Sequence, residues 1–304
     1  MGLLQNIIFG VITGSYIAIA AIGFNLIYGI VNMINFAYGE YLTLGAFIGL
    51  FAATALPIPL PVAVLVAMAG GGLVSIVLAR AFFTPINQTG PVPLLLTSIG
   101  LGIALRNAIR LVAGREARYY DTETTTFRFD AVPDLSVGSV DLLGGFFVTS
   151  KQLIVVASAV AVFVAIYGLL TRTDVGIAMR AMGDDESLAR VRGIDTQLIR
   201  DSVWVLAGIL AGLSGVLLAI QTNVSATTGF SQILQILSAA ILGGAGSPYG
   251  AIVGAYLIGI VLALSTAFLP SGMSGLSSAI AFGILILVLL VKPSGIAGAE
   301  VREA

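Results

Sequence analysis

The chain has 304 residues, 58% hydrophobic and only 10% charged, with a formal net charge of −1. Soluble domains carry roughly 25% charged residues, so a chain this apolar is solvated by lipid, and its near-neutral balance points away from nucleic acid. It holds no Cys and no His, which excludes disulfides, haem and iron–sulfur ligation, nearly all zinc sites and any mechanism that needs imidazole.

Several apolar runs approach the ~20 residues that cross a bilayer as a helix. The alternating segments of a membrane β-barrel are missing. The fold class is therefore all-α: a polytopic transmembrane helical bundle of about eight or nine segments, some of them broken or re-entrant.

In chain order, residues 5–30 are a Gly- and Ala-rich first span. No Lys or Arg precedes it, so it lacks the charged region of a signal peptide and reads as a retained span. A polar stretch with Asn32, Asn35, Tyr38 and Glu40 leads into a second apolar run ending near Ala55. Pro57, Pro59 and Pro61 mark a tight turn. A third span over 61–79 is expected to stop at Arg80, followed by a polar loop over 84–91. The fourth, over 92–112, carries Thr97, Ser98, Gly100 and Gly102. Arg106 and Arg110, one helical turn apart near its end, are expected to snorkel to the head groups.

Residues 114–150 are polar, with Glu116, Asp121, Glu123, Asp130, Asp134 and Asp141, and the alternation around 122–132 predicts a short β-hairpin. A fifth span covers 151–170. A sixth, over 201–220, holds the only Trp, Trp204, and a small-residue face of Gly208, Gly212 and Gly215. The next apolar run, 233–242, carries Gln235 and Ser238 and breaks at a glycine cluster, Gly243 to Gly250. It is too short to span with ease and predicts a re-entrant or broken helix. Spans over 250–269 and 276–291 follow, and Lys292-Pro293 ends the bundle.

The polar interruption from Arg172 to Arg200 encodes two short helices. Asp174 is the expected N-cap of the first, and Gly183 its left-handed end. Asp184 or Asp185 caps the second, with Arg190 and Arg192 in its last turn and Gly193 just beyond, which complements the helix dipole. Val175, Met179 and Met182 recur at helical spacing as an apolar stripe. The residues alone fit a docking surface or an ordinary solvated loop. The side bearing this stretch holds eight of the fourteen Lys and Arg residues, so the positive-inside rule places it weakly in the cytoplasm.

Glu40 is the only carboxylate in the first hundred positions. A charge at mid-bilayer costs roughly 2.5–3.5 kcal/mol on insertion scales, so it reads either as a pathway or gate residue or as an interfacial acid at a helix start. The glycine cluster reads either as a cavity-lining backbone break or as a plain turn. No P-loop motif occurs. Paired acids occur only in loops, and no buried ionisable pair of the kind that couples ions is expected within the membrane. This weighs against a stand-alone secondary transporter or channel, and the residue inventory weighs against a membrane-embedded enzyme.

Asn32-Met-Ile-Asn35-Phe36-Ala37-Tyr38-Gly39-Glu40, followed by Leu44-Gly45-Ala46, resembles the N-terminal signature of the LivH-type permease subunits of branched-chain amino acid ABC transporters. The stretches from Leu96 to Gly102, Gly176 to Ala181 with Gly193-Ile194, Ala211 to Val216, Leu242 to Gly250, and the closing Lys292-Pro293-Ser294-Gly295 extend the resemblance over nearly the whole chain. Tyr38 stands where the family usually shows His.

The resemblance implies a single permease domain over 1–304 in a bacterial inner membrane, with an external loop at about 114–150 and a cytoplasmic coupling segment at about 171–200. It implies a second, LivM-like permease subunit, two cytoplasmic ATPases that bind the ATP, a periplasmic solute-binding protein and no cofactor in this chain. Asp174, Ala178, Arg180, Ala181, Asp184, Ala189, Arg192 and Gly193 would then couple to the ATPases. Asn32, Asn35, Tyr38, Glu40, Thr97, Ser98, Gln235, Gly243, Gly244 and Gly246 would line the substrate path. Branched-chain amino acids lead as substrates, with other amino acids, urea or short amides, and aromatic acids open.

Overall fold

With no water in a bilayer core, backbone polar groups must pair within the chain, and helices do this segment by segment. The computed structural model describes residues 2–56, 58–129, 135–137, 140–143, 145–269, 276–292 and 295–296. Pro57, Asp130, Asp134, Pro293, Ser294 and Arg302 lie outside them.

The described helices are α1 (Leu3–Val31), α2 (Tyr38–Ala55), α3 (Leu60–Leu78), α4 (Pro91–Ala113), α5 (Ser150–Arg172), α6 (Asp174–Asp184), α7 (Glu186–Val191), α8 (Thr196–Gln221), α9 (Thr228–Gly243), α10 (Pro248–Phe268) and α11 (Leu276–Val291). Six are long and apolar enough to cross a membrane: α1, α3 with its continuation to Asn87, α4, α5, α8 and α10. α9 and much of α11 are shorter apolar helices.

Arg80 does not stop the third span. The helix runs on through a π turn, Ala79–Phe83, and a 3-10 turn, Thr84–Thr89, which occupies the stretch expected as a loop. Arg80 can stay in this continuous helix because Asp201, at the start of α8, meets it at 2.6 Å. The polar segment before α5 also differs from expectation. Its strand Thr126–Phe129 (β1) pairs antiparallel with Phe146–Thr149 (β4), not with a local neighbour. Leu135–Val137 (β2) and Val140–Leu143 (β3) form a second small antiparallel pair. The local alternation was legible, but the strand's partner lies about twenty residues on.

The strands sit at the start of α1. Gln5 donates to the Phe147 carbonyl at 3.1 Å and accepts the Phe147 N–H at 2.9 Å. The hydroxyl of Tyr120 donates to the Ala46 carbonyl of α2 at 2.8 Å, and burial pushes its pKa well above the ordinary tyrosine range.

α1 and α8 form the interior of the bundle, while α4 and α5 lie at its rim. Between apolar helices in lipid the hydrophobic effect gives little, so close packing of small residues carries the association. The Gly208–Gly212–Gly215 face does this. A Cβ on Gly208 would collide with the Gly71 carbonyl of α3, one on Gly212 with the Ala67 carbonyl, and one on Gly215 with the Leu42 carbonyl of α2. Gly229 of α9 meets Gly39 in the same way.

Gly212→Leu is expected to lower the thermal midpoint of the detergent-solubilised protein sharply, because overpacking costs about 1–3 kcal/mol or more. Gly100→Leu, where a new Cβ meets nothing within 4 Å, should leave the midpoint unchanged. Equal midpoints for the two variants would contradict the seam.

Candidate functional site: a buried ion pair beside a re-entrant break

α1 ends at Asn32, which adopts the left-handed conformation (φ 53°) and donates its N–H to the Tyr28 carbonyl at 3.0 Å. Asn tolerates this conformation better than most residues. The chain then turns back into the bundle without helical structure over 33–37. α2 starts well inside: the Tyr38 hydroxyl donates to the Ala207 carbonyl at 3.1 Å. Ala207 lies eleven residues beyond the start of α8, about 16 Å at the helical rise.

Non-helical backbone at this depth survives only where protein or a watered cavity satisfies it. The Asn35 side-chain oxygen accepts the Ala37 N–H at 3.0 Å, and its carbonyl accepts the Tyr38 N–H at 3.2 Å. Ser98 of α4 accepts the Phe36 N–H at 3.1 Å.

Glu40 falls in the first turn of α2 with 1% of its surface exposed. Arg106 does not snorkel. Its Nε and one terminal nitrogen both reach the same Glu40 oxygen, Oε1, at 2.8 Å. The guanidinium carbon lies 3.6 Å from the ring centre of Phe230 in α9, a cation–π contact. A buried ionisable pair is therefore present, against the sequence expectation. Arg106 turns inward because Glu40 is brought to its level: Ser98 meets Phe36, and Gly102 lies against Ala37. The other Glu40 oxygen, the Asn35 amide nitrogen and the Tyr41 hydroxyl are buried without a hydrogen-bond partner.

The remaining expected lining residues are dispersed. Asn32 is exposed and borders a cavity of about 220 Å³ with Tyr28, Met33, Ile34 and Pro91. Tyr38 is fully buried against Phe24 and Tyr41. Thr97 and Gln235 are half-buried, and Ser98 is spent on the break. Gly243 packs on Gly250.

Gly244 (φ 115°) and Gly246 (φ 83°) form the turn of an α9–α10 hairpin, α10 being capped by Ser247. A single helix of 16 residues thus runs to this turn, starting five residues before the apolar run because the polar Thr228–Gln232 stretch is also helical. Asn25 of α1, buried and unnoticed in the sequence, donates to the Ser247 and Gly244 carbonyls at 2.9 and 3.1 Å. Its signal was an amide far from the polar start of a long apolar span.

The Arg172–Arg200 stretch folds as two helices, with altered caps. Thr173, not Asp174, caps α6 by accepting the Gly176 N–H at 3.1 Å. α6 passes through Gly183 and ends in extended backbone at Asp185, so Gly183 is no left-handed stop. Asp185 caps α7, and Gly193 (φ 86°) closes it.

Met179 and Met182 are buried while Val175 faces out. Ala189 is buried, Ala181 half-buried, and Arg180, Asp184 and Arg192 exposed. Glu186 holds both Arg190 and Arg200, tying α7 to α8. Asp174, Val175, Ile177, Ala178, Ile194 and Ile199 line an open cavity of about 400 Å³.

Glu40→Leu should destabilise the protein by roughly 3–5 kcal/mol, since it strands a partly buried guanidinium. Glu40→Met combined with Arg106→Met should recover most of that loss, because well-packed apolar isosteres replace buried pairs at little cost. Thermal melts of the single and double variants in detergent check both statements, and a double variant as unstable as the single would contradict them.

A family profile described as "Branched-chain amino acid transport system / permease component" matches residues 6–289. The permease protein BraD of Pseudomonas aeruginosa is 31% identical over 307 residues, covering 97% of this chain and 95% of BraD. LivH of Escherichia coli K12 is 31% identical over 309 residues, with the same coverage. LivM of the same strain is 23% identical over 300 residues, covering 91% of this chain and 67% of LivM. The match over most of the chain and the identity over nearly its full length place this protein in the branched-chain amino acid transport system permease component family.

Proposed function

We propose that this chain is one permease half of an ABC importer for branched-chain or closely related amino acids in a bacterial inner membrane. Its partner is a second permease resembling LivM, itself a distant relative of this chain. Two cytoplasmic ATPases bind and hydrolyse the ATP, and a periplasmic solute-binding protein delivers substrate to the side bearing the 114–150 segment. Nine crossings put the N-terminus outside and the C-terminus inside, with α2 entering from the middle of the bundle.

The observation that carries the reading is the α6–α7 unit. A capped, polar-flanked pair of helices is anchored inward by Met179, Met182 and Ala189, and it presents Val175, Ile177, Leu188 and Val191 outward beside the cavity at Ala178, with Leu198 of α8 also exposed. Exposed apolar side chains on a segment outside the apolar spans need a protein cover. A rigid unit tied to α8 through Glu186 and Arg200 transmits motion of that cover into the bundle. α6 also abuts α1, where Gly183 faces the Gly29 carbonyl, and Gly29 lies against Gly246. Movement of α6 therefore reaches the α9–α10 turn through α1.

Pull-down of the chain from native membranes should recover ATPase activity that depends on this surface. Ala178→Arg, which fills the cavity with a charge, should cut the recovered ATPase at least about tenfold, as burial of an unpaired charge implies, while leaving the thermal midpoint near that of the unaltered chain. A chain that purifies alone and moves its substrate without ATP would overturn the reading.

A further inference from the structure

We propose that Arg106 and Glu40 together are the recognition site for a zwitterionic α-amino acid with an apolar side chain, Arg106 taking the carboxylate and Glu40 the ammonium. The inference rests on the permease reading above and deepens it.

The hydrogen-bond geometry leaves an unused hydrogen-bonding group on each partner. A guanidinium carries five N–H donors in a planar fork. Here Nε and one Nη nitrogen both converge on Glu40 Oε1. The end-on edge of the fork has no partner among the described residues, and that edge matches a carboxylate bidentately. On the other side, Glu40 Oε2 is buried and unpaired. A dry carboxylate oxygen without a donor is costly, and an ammonium group is the donor it fits.

The charge balance selects the class. The pair is neutral overall, so a zwitterion adds no net charge at depth, whereas a lone acid or a lone amine would leave one behind. The surroundings supply apolar walls. Phe230 is 50% exposed on the guanidinium face, with Leu234 one turn along α9 and Ile103 on α4 also exposed. Arg106 keeps 18% of its side chain exposed, about 10 Å along α4 from its end at Ala113. A free guanidinium edge at that depth facing hydrocarbon is expensive, so this face borders a polar path.

The test uses the complete complex, with its second permease, ATPases and binding protein, reconstituted in vesicles and supplied with tritiated leucine. Arg106→Lys keeps the charge and loses the fork; Glu40→Met with Arg106→Met removes both charges while sparing the packing. The double variant should raise KM or lower the maximal uptake rate at least tenfold, with Arg106→Lys falling between it and the unaltered complex. Uptake within threefold of the unaltered complex in both variants overturns the inference and leaves the permease reading standing.

If the unaltered complex shows no ATP-driven uptake of any apolar amino acid, the permease reading fails and takes this inference with it. A second measurement needs no variant. Leucine, but neither 4-methylpentanoate nor 3-methylbutylamine, should lower modification of Arg106 by phenylglyoxal at least threefold, as read by mass spectrometry. Equal modification with and without leucine overturns the inference.

Discussion

The structure depends on one constraint: backbone that leaves its helix inside a bilayer must be satisfied by protein or by a watered cavity. The break at 33–37 meets it with Asn35, which closes the turn on itself, and with Ser98, which reaches across from α4. That contact fixes the level of α4 against α2, and the level brings Arg106 to Glu40. The ion pair is thus a consequence of how the break is satisfied. An amide and a hydroxyl, both small and polar, determine where two charges meet.

The second constraint is distance. α2 can enter from mid-bundle only if neighbouring backbones approach more closely than side chains normally allow. Gly212 and Gly208 bring α3 against α8, Gly215 brings in α2, and the Gly39–Gly229 contact brings α9 against the start of α2. The last contact also delivers Phe230, the next residue, to the face of Arg106. Packing of small residues and placement of the polar site are one arrangement.

The α6–α7 unit is built on different principles because it stands outside the apolar spans. Its helices are too short to persist alone. They hold through side-chain caps at Thr173 and Asp185, two buried methionines and the Glu186 bridge to α8. Side-chain caps are worth about 1 kcal/mol each, enough in sum with the methionine contacts to keep the unit stiff. Gly183 lies beside the Gly29 carbonyl, and Gly29 packs closely on Gly246, so this unit adjoins the interior.

Composition and run length by themselves determined a lipid-solvated helical bundle, because apolar length is a local property that hydrocarbon thickness reads directly. The small-residue face of α8, a second-helix cap at Asp184 or Asp185 and Gly193 just past that helix were legible for the same reason: each is set by neighbours within a turn or two. Glu40 stood out because a lone carboxylate in an apolar stretch needs a partner. What the sequence could not show was which partner, since Arg106 lies 66 positions away and only the level of α4 against the break turns it inward. Asn25, Phe230, the continuation of α3 past Arg80 and the β1–β4 pairing share that origin. Each is a group whose partner is distant in the chain, and tertiary packing alone decides where such partners meet.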